Sequence, residues 1–234
     1  SEVLTQPDLL AKCVSWMDLS EPSGTRYDRV SSLEWTDNNT VTSAIGLASA
    51  AVMNRDPISS WTDASPAARN AAQTTLAARP LFRTSRTITM KPAAIFDGTD
   101  DALALSSALT HTGDFTHMYV KRYNAGGAIL GHSTGSGRLV HTLGTTLTLT
   151  NDAGTSLALT HPDVIGLDFQ VFVLRRAGST VTLHRNGVLA DTDTLSGTVT
   201  FDQIGRHGAA TSPLNGEMTK ILAYNAALTD SQIS

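Results

Sequence analysis

The chain has 234 residues, of which 41% are hydrophobic and 16% are charged, and its formal net charge at pH 7 is -4. This balance excludes a disordered or fibrous protein, because a chain of this length can bury about 70% of the surface that it exposes when unfolded. The single cysteine, Cys13, excludes an intrachain disulfide framework and a cysteine-based zinc site.

The charge pattern and the apolar runs limit the classes of partner. No run of basic residues is longer than a pair such as Arg175-Arg176, so we expect no nucleic-acid partner. The apolar stretch 44–53 is shorter than the roughly 18 residues that a membrane-spanning helix needs, and we expect no membrane partner. Residues 1–12 lack the basic segment and apolar core of a secretory signal, which favours a cytosolic product, although a chain from which a signal had been removed would look the same.

The first 92 residues combine short predicted elements with a long polar segment. A helical turn is predicted near residues 6–8 and a strand over 13–18. Residues 19–57 are rich in Gly, Ser, Asn and Thr and are interpreted as an insertion; within them, the alanine-rich stretch 44–53 has a helix as an alternative but lacks an amphipathic stripe. Residues 65–79 are predicted to form a loop with one or two helical turns.

Beyond residue 92 the sequence alternates apolar and polar residues in short segments that are separated by turn residues. A period of two is typical of half-buried strands, and Asp-Gly and Asn-Gly pairs supply the positive φ angles of tight turns. The predicted strands are 94–96, 102–105, 115–120, 146–150, 169–176, 180–187 and 219–224. This pattern predicts an antiparallel meander, followed by a short helix with a capping box of Thr229 and Gln232.

Six blocks of sequence follow the order of motifs in a known family. Trp-x-Asp-x-Ser occurs in blocks 13–20 and 58–82, and Pro-Ala-x-x-Phe-Asp-Gly-x-Asp-Asp occurs in block 91–103. The other blocks are 113–122, 171–189 and 204–233. Together they resemble the concanavalin A-like lectin/glucanase domains, which are jelly rolls with laminin-G-like topology found in phage virion proteins and bacterial surface proteins.

The resemblance implies an all-β fold, an antiparallel β-sandwich of the concanavalin A-like jelly-roll type with short helical segments. It covers most of the chain outside the insertion, so we expect a single domain over residues 1–234 with an insertion at about 19–57. The fold alone does not determine activity, because it carries lectins, glycan hydrolases and structural modules.

The acidic residues argue against an enzyme. Retaining glycosidases need two carboxyl groups about 5 Å apart, which jelly-roll enzymes place on one strand. Glu34 lies in the predicted insertion and Glu217 in a predicted hairpin, and Asp191 and Asp193 alternate on a strand that we expect at an exposed edge. The sequence also lacks a Gly-x-Ser-x-Gly nucleophile elbow. We therefore predict that the protein is not an enzyme.

No cofactor is predicted, and calcium is the alternative. The seven histidines contain no His-x-His or His-x-x-x-His spacing. The resemblance implies that calcium is conceivable, since related laminin-G-like domains hold it with loop carboxylates, and Asp97, Asp100 and Asp101 offer hard oxygen ligands. Capping of the Asp97-Gly98 turn explains the same three residues without a metal.

A glycan site requires an exposed aromatic ring or polar loop side chains. The candidate ligand-binding residues are Tyr123, which precedes Asn-Ala-Gly-Gly, the loop residues Arg206 and His207, and Asn215. They belong to predicted turns, where binding residues are common.

The function predicted from these observations is that of a non-enzymatic phage virion protein. We expect a capsid decoration or a head- or tail-associated protein, located in the virion after synthesis in the host cytoplasm. Its expected partners are other virion proteins and copies of itself, with contacts through residues 19–57. The alternative is a carbohydrate-binding adhesin that recognises host surface glycans through loops at one end of the sandwich.

Overall fold

The computed structural model describes most of the chain from residue 56 onward. The described ranges are 56–83, 92–142, 145–162, 168–208 and 211–233, and before them the backbone of 13–18, 33–35, 40–43 and 50–51. The helical turn expected at residues 6–8 lies outside these residues. No helix within the described ranges has the length and apolarity that crossing a membrane requires.

Strands dominate the described part of the chain. In chain order they are β1 (Cys13–Asp18), β2 (Leu33–Trp35), β3 (Thr40–Ser43), β4 (Ala50–Ala51), β5 (Ser60–Trp61), β6 (Ala71–Ala72), β7 (Leu81–Arg83), β8 (Ala93–Asp97), β9 (Leu103–His111), β10 (Phe115–Tyr123), β11 (Gly127–Gly131), β12 (Arg138–Thr142), β13 (Thr146–Thr150), β14 (Ser156–Thr160), β15 (Gln170–Ala177), β16 (Thr180–Arg185), β17 (Val188–Thr194), β18 (Val199–Ile204) and β19 (Asn215–Tyr224). A 3-10 turn spans Leu76–Ala78, and the helix α1 spans Asp230–Ile233.

Two eight-stranded antiparallel sheets form a sandwich. Sheet I has the order β17-β16-β15-β10-β19-β8-β7, and β1 also pairs with β19. Sheet II has the order β14-β13-β12-β11-β18-β9-β6-β5. The predicted all-β sandwich is confirmed, and each strand predicted from the period-two pattern is present in one of the two sheets.

The alternation of side chains places the core between the sheets. In β13, Leu147 and Leu149 are buried, whereas Thr146 and Thr148 face the outside and are partly exposed. Leu157 and Leu159 of β14 repeat the pattern. Each fully buried leucine stabilises the fold by about 1.5–3 kcal/mol relative to an exposed one. Threonine suits the outer positions, because its branched β-carbon favours extended backbone.

The segments predicted as irregular contain short elements. Strands β2, β3 and β4 form a three-stranded sheet within residues 19–57. Ala50 pairs with Val41, so the helical alternative for residues 44–53 is wrong at β4, where cross-strand pairing overrides the helix propensity of alanine. Residues 65–79 contain β6 and the 3-10 turn, as predicted for a loop with a turn. The single-domain assignment stays a prediction.

The chain end docks on sheet I through polar contacts. The Thr229 backbone N–H donates to Gln232 Oε1 at 2.8 Å, which confirms the capping-box contact predicted for α1. Arg175 Nη1 donates to the Leu228 carbonyl at 2.9 Å and to Asp230 Oδ1 at 2.6 Å. These bonds fix the segment after β19 against β15.

A pair of histidines lies between the sheets. His111 Nδ1 is 2.7 Å from Asn225 Oδ1, and His111 Nε2 is 2.9 Å from His117 Nε2. Since the amide oxygen can only accept, His111 carries its proton on Nδ1, and His117 Nε2 donates to His111 Nε2. Burial lowers the pKa of His111 to about 4 and that of His117 well below its ordinary value.

A second buried polar group includes a lysine. Lys121 Nζ lies 4.5 Å from the centre of the Tyr123 ring and has no hydrogen-bond partner among the described residues. His141 is also fully buried, with Nε2 at 3.4 Å from Tyr119 Oη. Burial lowers the pKa of Lys121 from 10.5 to about 7, since the charged amine has lost its water without gaining an anion.

Candidate functional site

The outer face of β12 and β13 carries polar side chains in register. Val140 pairs with Thr148, and the pairs on either side of it are Arg138 with Thr150 and Thr142 with Thr146. Because residues that pair across antiparallel strands point to the same face, these side chains lie opposite the buried leucines of the same strands. The alternation that builds the core therefore also builds a polar outer surface.

The described residues of the connection between β18 and β19, 205–208 and 211–214, lie beside this outer face and border a groove, which we call the β12–β13 groove. Its volume is about 490 Å³. The lining residues are Arg138, Val140, Thr142 and Thr148 from the strands and His207, Thr211 and Ser212 from the connection. The groove is open to solvent and is lined by hydroxyl groups, one guanidinium, one imidazole and one apolar side chain.

Backbone contacts fix the connection at the edge of the groove. The His207 N–H donates to the Thr211 carbonyl at 3.2 Å, and the Thr211 N–H donates to the His207 carbonyl at 3.0 Å. Thr211 Oγ1 donates to the same His207 carbonyl at 2.6 Å. The Gly208 N–H donates to the His132 carbonyl at 3.0 Å, which ties the connection to the end of β11. The position of His207 is thus fixed by the hydrogen bonds of its backbone N–H and carbonyl with Thr211.

The electrostatics of the groove depend on Arg138 and His207. Arg138 Nη1 lies 3.4 Å from His207 Nε2. Partial burial lowers the pKa of His207, and the charges of Arg138 and His132 lower it further, against the opposing effect of Asp202. His207 is therefore neutral at pH 7, so its Nε2 accepts a hydrogen bond from the guanidinium.

The structure separates the four candidate ligand-binding residues. His207 lines the groove, and Arg206 precedes it but is not among the lining residues. Asn215 lies at the start of β19, pairs with Asp97 and contacts the position of Gly98. Tyr123 was expected to expose its ring, but its exposure is only 2% because it belongs to the inward-facing positions of β10. Its ring is not available for stacking on a sugar.

The sequence analysis did not identify the strand residues that line the groove. Arg138, Thr142 and Thr148 occur in ordinary alternating strands, and nothing local distinguishes them from other surface positions. The available signal was the alternation of side chains along each strand, which places these residues on the face opposite to the leucines of the same strands. The approach of His207 to Arg138, across 69 positions of sequence, depends on tertiary structure.

The aspartates of the β8–β9 turn cluster as expected for turn capping. The Thr99 N–H donates to Asp97 Oδ1 at 2.7 Å, and the Asp97 N–H donates to Asp101 Oδ2 at 2.9 Å. Burial raises the pKa of Asp101 from 3.8 to about 7; the hydrogen bond from Asp97 lowers it, and the charges of Asp97 and Asp100 raise it. One carboxylate oxygen of each aspartate lies within 4.8 Å of the others. These hard oxygens fit calcium chemistry, and calcium binding stays a prediction.

The carboxylates considered for catalysis make structural contacts. Glu217 is buried, with Oε1 at 3.2 Å from Arg122 Nη1 and 3.7 Å from Arg83 Nη1. Asp191 Oδ2 accepts from the Thr160 N–H at 2.7 Å, which links β17 to β14. Both side chains therefore have partners within the fold.

Comparison with known proteins identifies the fold. No family model and no curated protein matches the chain. Among solved structures, a heptameric SAP-like pentraxin from Limulus polyphemus is 18% identical, with a TM-score of 0.51 over 61% of this chain and 79% of that chain. A mutant GH54 α-L-arabinofuranosidase soaked with 4-nitrophenyl α-L-arabinofuranoside is 10% identical, with a TM-score of 0.64 over 94% of this chain and 60% of that chain.

A third similar structure is a botulinum neurotoxin type C chain, from a study in which cell entry depends on interaction with two ganglioside molecules. It is 9% identical, with a TM-score of 0.57 over 98% of this chain and 51% of that chain. At such low identities these likenesses show the fold alone. The chain has a jelly-roll β-sandwich fold, like these proteins.

Proposed function

We propose that the protein is a non-catalytic carbohydrate-binding module and that the β12–β13 groove holds the glycan. The observation that carries the proposal is the lining of the groove. Sugars present closely spaced hydroxyl groups; the hydroxyls of Thr142, Thr148 and Ser212 can donate to them and accept from them, and that of Thr211, which donates to the His207 carbonyl, can accept. Val140 offers an apolar contact for the C–H face of a sugar ring. The volume of about 490 Å³ is within the range of small-molecule sites.

The structural neighbours support this proposal without deciding it. The arabinofuranosidase was soaked with an arabinofuranoside, and the neurotoxin interacts with gangliosides. The heptameric pentraxin suggests a route to useful affinity, since several weak sites on one assembly bind a multivalent surface more tightly than one site does. We propose that this chain acts in the same way, as a homo-oligomer.

The location in a phage virion stays a prediction from the sequence. A capsid decoration or a head- or tail-associated module would hold its glycan sites on the outside of the particle, where host surface glycans are accessible. Electron microscopy of particles from the native source, labelled with antibody against this chain, tests it. Label on heads or tails supports the virion location, and particles without label contradict it.

A glycan array followed by titration calorimetry tests carbohydrate binding. Thr148→Val keeps the shape of the side chain and removes a hydroxyl from the groove, so we expect the affinity for a bound glycan to fall by about 2- to 10-fold, the value of one hydrogen bond. Thr192→Val is the matched control, because Thr192 is exposed on β17 of the other sheet. Absence of binding to every glycan, or equal loss in both variants, contradicts the proposal.

A further inference from the structure

Arg138 is a cation without a counter-charge in a ligand-sized groove. Its hydrogen bond to His207 Nε2, at 3.4 Å, involves a neutral imidazole. Within the described part of the chain, no carboxylate lies within ion-pair distance of Arg138. Arg122, by comparison, pairs with Glu217, and Arg175 pairs with Asp230.

The carboxylates on neighbouring elements are engaged elsewhere. Asp202 of β18 accepts from the Ser133 N–H at 2.7 Å and from Ser133 Oγ at 2.6 Å. Asp152, after β13, accepts from the Thr200 N–H at 2.9 Å and from Thr200 Oγ1 at 2.8 Å. Asp202 Oδ2 also lies 3.9 Å from His132 Nδ1. Both acids are therefore engaged away from Arg138, and the positive charge of Arg138 is left for the groove.

His207 orients this charge without cancelling it. An aspartate or glutamate at the same place would neutralise Arg138, whereas the neutral imidazole only accepts one N–H of the guanidinium. A guanidinium has five N–H donors in a planar fork, so four remain after this contact. Two parallel N–H donors match the two oxygens of a carboxylate, which is the bidentate arrangement that arginine favours.

We propose that the glycan of the β12–β13 groove carries a carboxylate, as uronic and sialic acid residues do, and that Arg138 binds this carboxylate while His207 acts as a positioning residue. This inference rests on the proposed function and adds a substrate class to it. The carboxylate binds Arg138, which lies at one end of the paired region of β12 and β13. The neutral hydroxyls of the sugar contact Thr142, Thr148 and Thr211. The resulting hydrogen bonds are charge-assisted, and such a bond is about twice as strong as a neutral one.

Pairs of glycans that differ only in charge test the inference. Oligogalacturonides are compared with their methyl esters, and sialyllactose with its methyl ester, by titration calorimetry at low and at physiological salt. We expect the free acid of at least one pair to bind at least about tenfold more tightly than the ester, with a preference that shrinks as salt rises.

Variants assign the preference to Arg138. Arg138→Gln should abolish the difference between acid and ester while binding of the ester persists, and Arg138→Lys, which keeps the charge but not the fork, should retain part of it. Arg185→Gln is the matched control, because Arg185 lies on β16 of the other sheet and, among the described residues, bonds to the neutral acceptors Gln170 Oε1 and the Pro162 carbonyl. Thermal unfolding of each variant confirms that it is folded.

The outcomes separate this inference from the proposed function. Equal binding of acid and ester, or binding confined to sulfated glycans, overturns the carboxylate inference and leaves carbohydrate binding standing. A preference for the acid that survives in Arg138→Gln, or that Arg185→Gln also loses, overturns the role of Arg138. Absence of binding to any acid, ester or neutral glycan overturns the proposed function together with the inference.

Discussion

Acidification should destabilise the protein through the buried histidine pair, and His111→Gln should remove a defined part of that effect. His111 lies between His117 and Asn225, and burial holds its pKa at about 4. In the unfolded chain the imidazole titrates near 6.5, so the unfolded state takes up a proton at a higher pH than the folded state does. The stability that the protein has because His111 is neutral in both states is complete above pH 6.5, and it is lost as the pH falls towards about 4.

The size of the effect follows from the shift in pKa. A fall from 6.5 to about 4 corresponds to about 3.4 kcal/mol of unfolding free energy, of which about 2.5 kcal/mol is lost between pH 7.5 and pH 4.5. The fully buried His117 and His141, whose pKa values are also lowered by burial, add to the loss. Asp101 acts in the opposite direction, because its raised pKa makes the folded state bind a proton more readily than the unfolded state below pH 7.

Urea unfolding at pH 7.5, 6.0 and 4.5, followed by tryptophan fluorescence, measures the effect. His111→Gln should be less stable than the wild type at pH 7.5 because its packing is disturbed, but its stability should fall by about 2.5 kcal/mol less on going to pH 4.5. His132→Gln is the control, because His132 lies in the partly exposed β11–β12 loop. Parallel pH profiles for the wild type and His111→Gln would refute the reasoning.

Two further predictions concern the interior and a turn. Lys121→Met should raise the unfolding free energy at pH 7 by up to about 4 kcal/mol, because the buried amine near Tyr123 resists protonation in the folded state. The gain should be smaller at pH 10, because the amine of the unfolded chain also begins to lose its proton there. Gly205 has a φ of +85°, and an added Cβ would overlap the Phe96 ring, so Gly205→Ala should cost more than about 3 kcal/mol. Gly178 has a φ of +60° and open space around it, so Gly178→Ala should cost about 1 kcal/mol. Urea unfolding of each variant measures both; a Lys121→Met that gains nothing, or equal costs for the two glycines, would contradict them.

The sandwich could be predicted because its strands obey a local rule. In β13, the sequence Thr-Leu-Thr-Leu-Thr places two leucines on one face, and burial of those leucines decides which face is the core. The turns follow from residues that tolerate a positive φ, as at Gly98 between β8 and β9. Both signals lie within a few residues, so neither requires the arrangement of the sheets.

The site could be predicted only in part. Whether a side chain faces the core or the solvent follows from the local alternation of its strand, but which strands meet at the site depends on tertiary structure. The exposure of Tyr123 was wrong, although the alternation from Phe115 through Tyr119 places it on the inner face of β10. That error concerned the face of the strand to which Tyr123 belongs, and the alternation in the sequence could have prevented it. The contact between Arg138 and His207 could not be predicted, because it requires the order of strands in sheet II, in which β11 lies between β12 and β18.

Arg138 and Arg176 differ in what their positive charges face. Arg176 is buried, yet it donates to the carbonyls of Gly113 and Gly197, so its charge is part of the scaffold. Arg138 is also held, but by the neutral His207, and its charge faces an open volume. A guanidinium that only stabilised the fold would be expected to have carbonyl or carboxylate partners, as Arg176 does. The difference between the two arginines is therefore a structural reason to look for an anionic group in the groove.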